Sequence, residues 1–213
     1  MLGDSMLRNM NVDAFGRQVH LFSYPGISIG QLIIQIKNDI MPPPSKIGTV
    51  FVHCGTNNAS TVKAGFRFTE IRQISPIPRN KSIVRISRLI ENHSKQNMSI
   101  TQSAKEMEHC VETLCKFYTH AKIVVSAILP RNDENNLRAM DINNLIEQWC
   151  IKEKQVHFVD FCPEFAVRGR HPEKFSHLYR YERTKNHPDP AMVDAIHLSE
   201  KGVDKFQVKI FEN

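Results

Sequence analysis

What most limits the fold of this chain is the alternation of short apolar runs with longer amphipathic stretches. "IGTVFVHCG" (Ile47–Gly55), "KIVVSAILP" (Lys122–Pro130) and "VHFVDF" (Val156–Phe161) are runs of β-branched and aromatic residues closed by turn residues. Runs of this kind suit strands buried on both faces, because a strand with one wet face alternates polar with apolar. "QVHLFS" (Gln18–Ser23) reads as another strand. Between the strands lie "QLIIQIKNDIM", "SAKEMEHCVETLCKFYTHA" and "DENNLRAMDINNLIEQWCIKEK", with apolar residues at helical spacing. Ser103 and Asp133 are the expected caps of the second and third of these. "SEKGVDKFQVKIF" reads as a final helix capped by Ser199, with Glu200 in its favourable first turn. This order predicts an α/β fold in which helices cover both faces of a parallel sheet. Ligands of such sheets bind beyond the carboxyl ends of the strands.

The 213 residues suffice for one sizeable domain. We expect a single domain over 1–213 with an insertion at about 63–96. No apolar run approaches the roughly 18–20 residues that cross a bilayer. Nor does an apolar leader stand at the start, which points to a cytoplasmic or nuclear setting. The five cysteines show no C-x-x-C spacing, as expected of reduced thiols rather than a disulfide framework or a structural zinc site. Of the formal charge of +6, the stretch Lys63–Glu91 carries +5, from seven basic and two acidic residues. That stretch could hold nucleic-acid phosphates with a salt-sensitive affinity, and Phe66 and Phe68 could add stacking. A solvated insert is the plainer reading. Pro163–Val193 is a polar loop whose His171, His177 and His187 lack metal-ligand spacing and read as surface residues. His53 and Cys54, adjacent on a strand, point to opposite faces and read as packing. Trp149 reads as core.

Four pieces fall just after strands or in the last loop. Gly3-Asp4-Ser5 follows a two-residue start of a strand, Gly26 follows the second strand, "GTNN" (Gly55–Asn58) the third, and "DAIH" (Asp194–His197) precedes the last helix. Acyl transfer needs a hydroxyl nucleophile, an imidazole to take its proton and a carboxylate to hold the imidazole's tautomer. It also needs donors where the oxyanion forms. Ser5, His197 and Asp194 fit the first three roles, with Asp194 and His197 expected on one tight loop. The backbone amides of Ser5 and Gly26 and the side-chain amide of Asn57 fit the last. Taken singly, each piece is an ordinary cap or turn.

These blocks, in this order, resemble the SGNH hydrolase family, also called GDSL esterases and lipases. The resemblance spans the chain apart from the insertion. Asn58 departs from the commoner G-x-N-D, and Gly26 is preferred to Gly30 as the second-block glycine. "GDSMLR", "VHCGTNN", "ILPR" and "DAIHLSEKG" further resemble the esterase domains of animal non-LTR retrotransposons. The resemblance implies a flavodoxin-like three-layer α/β/α sandwich that hydrolyses a small ester or lipid-like substrate through an acyl-enzyme, with no metal or organic cofactor. Alternatives are an inactive truncated domain, and a retroelement module that binds nucleic acid through the basic insertion. The nucleophile's strand is central in that fold and has at most two residues here, against a mean of about five or six. The expectation is therefore a chain whose first strand is cut short, with the missing part upstream.

Overall fold

The strand runs carry apolar residues at both parities, and the reason is visible in the computed structural model, which describes residues 1–7, 9–15, 19–38, 41–60, 84–87, 98–131, 133, 135–165, 178–181 and 193–212. In chain order the regular elements are β1 (Leu2–Gly3), β2 (His20–Ser23), α1 (Ile29–Asn38), β3 (Thr49–His53), α2 (Thr56–Ala59), β4 (Val84–Ser87) and α3 (Ile100–Phe117). There follow β5 (Lys122–Ser126), α4 (Asn136–Cys150), β6 (Val156–Val159), α5 (Cys162–Phe165), β7 (Tyr179–Tyr181), β8 (Val193–Leu198) and α6 (Glu200–Glu212). Phe22, Val50, Val52, Ile123 and Val125 face one core, shared with apolar residues of α1, α3 and α4. Their strand neighbours Leu21, Phe51 and Val124 face a second core with Phe165 of α5 and Val203 and Phe206 of α6. Each fully buried side chain of this size contributes about 1.5–3 kcal/mol, so both helical layers hold the sheet. The expected three-layer sandwich is the fold found.

Among the described residues the sheet has six strands in the order β4-β2-β1-β3-β5-β6, and every pair in it is parallel. β1 sits in the middle with Leu2 opposite Phe22 on one side and Val52 on the other. Below it, at the amino ends of the strands, a cavity of about 600 Å³ is lined by Met1, His20, Thr49 and Phe51 among others. That is the end of the sheet away from Ser5.

Three local expectations need adjusting. Helix α3 starts before Ser103, because Ile100 already packs on the core. Its cap is Ser99, whose hydroxyl accepts from the Gln102 N–H at 3.0 Å, while Ser103 is buried and donates to the Ser99 carbonyl. Helix α4 is preceded by Asn135 at the cap position. Asp133 accepts the Asn135 N–H from two residues upstream, and a guanidinium engages the rest of its carboxylate. Part of the expected insertion is β4, which pairs with β2 and so extends the sheet at its edge. Phe66, Phe68 and most of the basic stretch lie outside the described residues, as do His171, His177 and His187. Trp149 is half-buried against the first core rather than enclosed.

The five thiols are free. Burial pushes Cys110 and Cys150 up to about 12, which leaves them in the thiol form at neutral pH. Among the described residues no helix is long and apolar enough to cross a membrane.

Candidate functional site

The chain leaves β1 through a turn that only glycine permits. A Cβ on Gly3 would lie 2.1 Å from the His53 carbonyl oxygen. Asp4, 1% exposed, then donates its N–H to that same carbonyl at 3.1 Å. Its Oδ1 accepts the Met6 N–H at 3.0 Å, and its own carbonyl accepts from the Ser23 hydroxyl. These bonds set the short 3-10 turn Ser5–Leu7, with half-buried Ser5 as its first residue at the carboxyl end of the central strand.

The second block arrives through β2. Tyr24 donates its N–H to the Gly3 carbonyl at 2.8 Å, and Ile27 closes a turn on Tyr24 at 3.1 Å. Gly26 stands inside that turn at φ 81°, a conformation that costs glycine little and other residues more. Gly30 is in α1 and its N–H donates to the Glu106 carboxylate at 3.0 Å, so that amide is already committed. The third block is α2, entered through Gly55 at φ 122°. Asn57 donates its amide Nδ2 to the Ile27 carbonyl at 2.9 Å, which ties the third block to the second. Asn58 faces the other way, accepting the Ile29 N–H at 2.9 Å and donating to Glu106 at 3.2 Å. Both ends of its side chain are used, and a carboxylate there would lose the donor that Glu106 meets. Burial pushes the Glu106 carboxyl up, and the bonds from Asn58 and Gly30 offset part of that rise.

The fourth block is a strand where a tight loop was expected. β8 carries Asp194 and His197 and runs antiparallel to β7. A regular strand would send residues three apart to opposite faces. The pairing is irregular, however: Tyr179 lies opposite Leu198 and Tyr181 opposite Val193, so two steps on β7 span five on β8. A bulge of this kind re-aims side chains. β8 lies against the 3-10 turn that starts with Ser5. His197 is half-buried, and the Asp194 side chain lies outside the described ones. Ser199 caps α6 as expected, accepting from the Gly202 N–H at 3.2 Å. Ser5, Gly26 and Asn57 thus lie beyond the carboxyl ends of β1, β2 and β3, and the strand that carries His197 packs against the Ser5 turn.

Beneath them lies a buried polar group that pattern reading treats as packing. His53 is fully buried, with Nδ1 2.6 Å from the Ser126 hydroxyl and its ring 5.0 Å from that of Phe206. Cys54 faces the opposite core, as strand parity requires. The one available signal for His53 was a polar residue inside an otherwise apolar run. Burial pushes its pKa below the ordinary 6.5, while the Asp4 charge pulls the other way. The folded protein therefore holds His53 neutral at pH values where the unfolded chain protonates it. This contribution to stability is complete above about pH 6.5 and is lost as pH falls towards the lower folded value. Urea midpoints should decline as pH falls below about 7, and His53→Gln should flatten that decline. An unchanged slope in the variant would assign the pH dependence to other groups.

No family model and no curated protein matches the sequence. Solved structures do match. A protein from Streptococcus pneumonia described in terms of platelet activating factor superposes with a TM-score of 0.62 at 13% identity, over 99% of this chain and 80% of its own. A member of the lipolytic protein G-D-S-L family from Veillonella parvula superposes with a TM-score of 0.58 at 14% identity, over 99% of this chain and 94% of its own. At these identities the likeness is one of fold. The chain has the flavodoxin-like α/β/α fold of these two proteins, one of which is a G-D-S-L lipolytic protein.

Proposed function

We propose that the protein is a serine ester hydrolase. The Ser5 hydroxyl attacks the ester carbonyl as His197 takes its proton, and Asp194 holds the imidazole's tautomer and steadies the imidazolium. The backbone amides of Ser5 and Gly26 and the side-chain amide of Asn57 stabilise the tetrahedral oxyanion. The alcohol leaves with the proton from His197, and water then hydrolyses the acyl-enzyme by the same steps. The substrate class is a small carboxylic or acetyl ester.

The observation that carries this reading is the packing of β8 against the Ser5 turn, which brings the two ends of the sequence together at the carboxyl edge of the sheet. A fluorophosphonate tests it directly, because a serine activated by a base displaces fluoride and keeps the phosphonyl group. Intact-mass and peptide analysis should find one adduct, on Ser5, in the wild type and almost none in His197→Ala. An adduct on another serine, or none, would remove the assignment.

A further inference from the structure

Asn57 belongs to a helix too short to satisfy its own carbonyls. α2 has four residues, and its backbone bonds run from Ala59 to Gly55 at 3.0 Å and from Ser60 to Asn57 at 3.3 Å. The Thr56 carbonyl, on the peptide that leads into Asn57, is met by side chains instead. The Ser60 hydroxyl donates at 3.3 Å and Arg131 Nη1 at 2.7 Å. Helix ends need such outside partners, and here the shorter contact comes from 75 positions away.

Arg131 follows β5 in a buried loop and is itself 2% exposed. Its Nε and Nη2 donate to the two oxygens of Asp133 at 2.9 and 2.5 Å. Two parallel bonds of this kind fix the plane of the guanidinium as well as its place, which a single ammonium cannot do. Asp133 is anchored in turn by the Asn135 N–H at 3.0 Å. Burial raises the Asp133 carboxyl, and the Arg131 bonds outweigh that and hold it below the usual carboxylate range. On its far side, the Asn57 amide is pinned to the Ile27 carbonyl. A rotation of α2 would break that bond and swing the amide relative to the β2 turn and Ser5.

We propose that Arg131, oriented by Asp133, is the positioning residue for the Asn57 amide: it clamps the start of α2 so that the amide faces the oxyanion. This rests on Asn57 being an oxyanion donor, as proposed above. Removing one such donor lowers kcat by about 10²–10³-fold, and a misplaced one should lose about tenfold to a hundredfold.

The test is a double-mutant cycle in p-nitrophenyl acetate hydrolysis. Arg131→Lys keeps the charge and loses the fork. It should lower kcat by about tenfold or more with KM within about twofold, and should lower it no further in an Asn57→Ala background. Asp133→Asn, which keeps the guanidinium and removes its charged anchor, should show the same pattern to a smaller degree and serves if Arg131→Lys does not fold. Equal losses in both backgrounds would overturn the proposal. A second readout is independent of activity: the Asn57 side-chain amide resonances should move in Arg131→Lys while those of Gln155, bonded to the Tyr118 and Ala121 carbonyls, stay in place. Unmoved Asn57 resonances would also overturn it. A wild type without hydrolysis would remove the hydrolase reading and leave the resonances to decide the clamp.

Discussion

Replacing Ser5 by alanine is expected to lower kcat/KM for p-nitrophenyl acetate by at least about 10⁴-fold while leaving the fold intact. Loss of a triad nucleophile costs about 10⁶ in kcat in a well-studied serine protease, and the residue of activity comes from the oxyanion donors. The second half of the expectation follows from what holds the turn. Asp4 bonds to His53 and Met6, Leu7 closes on Asp4 at 3.3 Å, and the Ser23 hydroxyl reaches the Asp4 carbonyl. None of those bonds uses the Ser5 hydroxyl. Urea unfolding should therefore agree with the wild type within about 0.5 kcal/mol. Equal hydrolysis rates in the two proteins would end the claim that Ser5 is the nucleophile.

Gly3→Ala should have the opposite signature, a collapse of stability from one methyl group. The added Cβ would sit 2.1 Å from the His53 carbonyl oxygen and 2.8 Å from Leu7 Cδ1. A flexible side chain such as Leu7 can yield, but a carbonyl in a strand cannot. It is held by the Asp4 N–H on one side, and β3 is held by β5 on the other. Relief means parting β1 from β3 in the middle of the sheet. Ordinary overpacking costs about 1–3 kcal/mol; forced separation of the central strands should exceed about 4 kcal/mol, most of a typical margin of about 5–15 kcal/mol. Circular dichroism and urea titration would register this as a chain unfolded, or nearly so, in water. Gly48→Ala is the control, since none of the described residues lies within 4 Å of a Cβ there, and its midpoint should stay near that of the wild type. A Gly3→Ala protein that unfolds at the wild-type midpoint would mean that the two strands do not approach as described.

The alternation of strands and helices, and the face each strand buries, could be read from the chain because a strand between two helical layers must be apolar at both parities. "TVFVH" and "KIVVS" are, and Phe51 and Val124 duly face one core while Val50, Val52, Ile123 and Val125 face the other. The places of the first three candidate blocks could be read for a related reason: strand ends need turn residues beside them, and glycine, asparagine and serine mark those turns locally. What lay beyond local reading depends on partners distant in sequence. Ser103 lost the cap to Ser99 because Ile100 found a place on the core. Asp194 and His197 sit on a bulged strand because Tyr179–Tyr181 came to lie beside them. Arg131 holds Thr56 across 75 positions, and His53 became a buried polar link to Ser126 instead of plain packing. Such pairings are settled by which groups remain unsatisfied once the layers close, and no window of neighbouring residues records that.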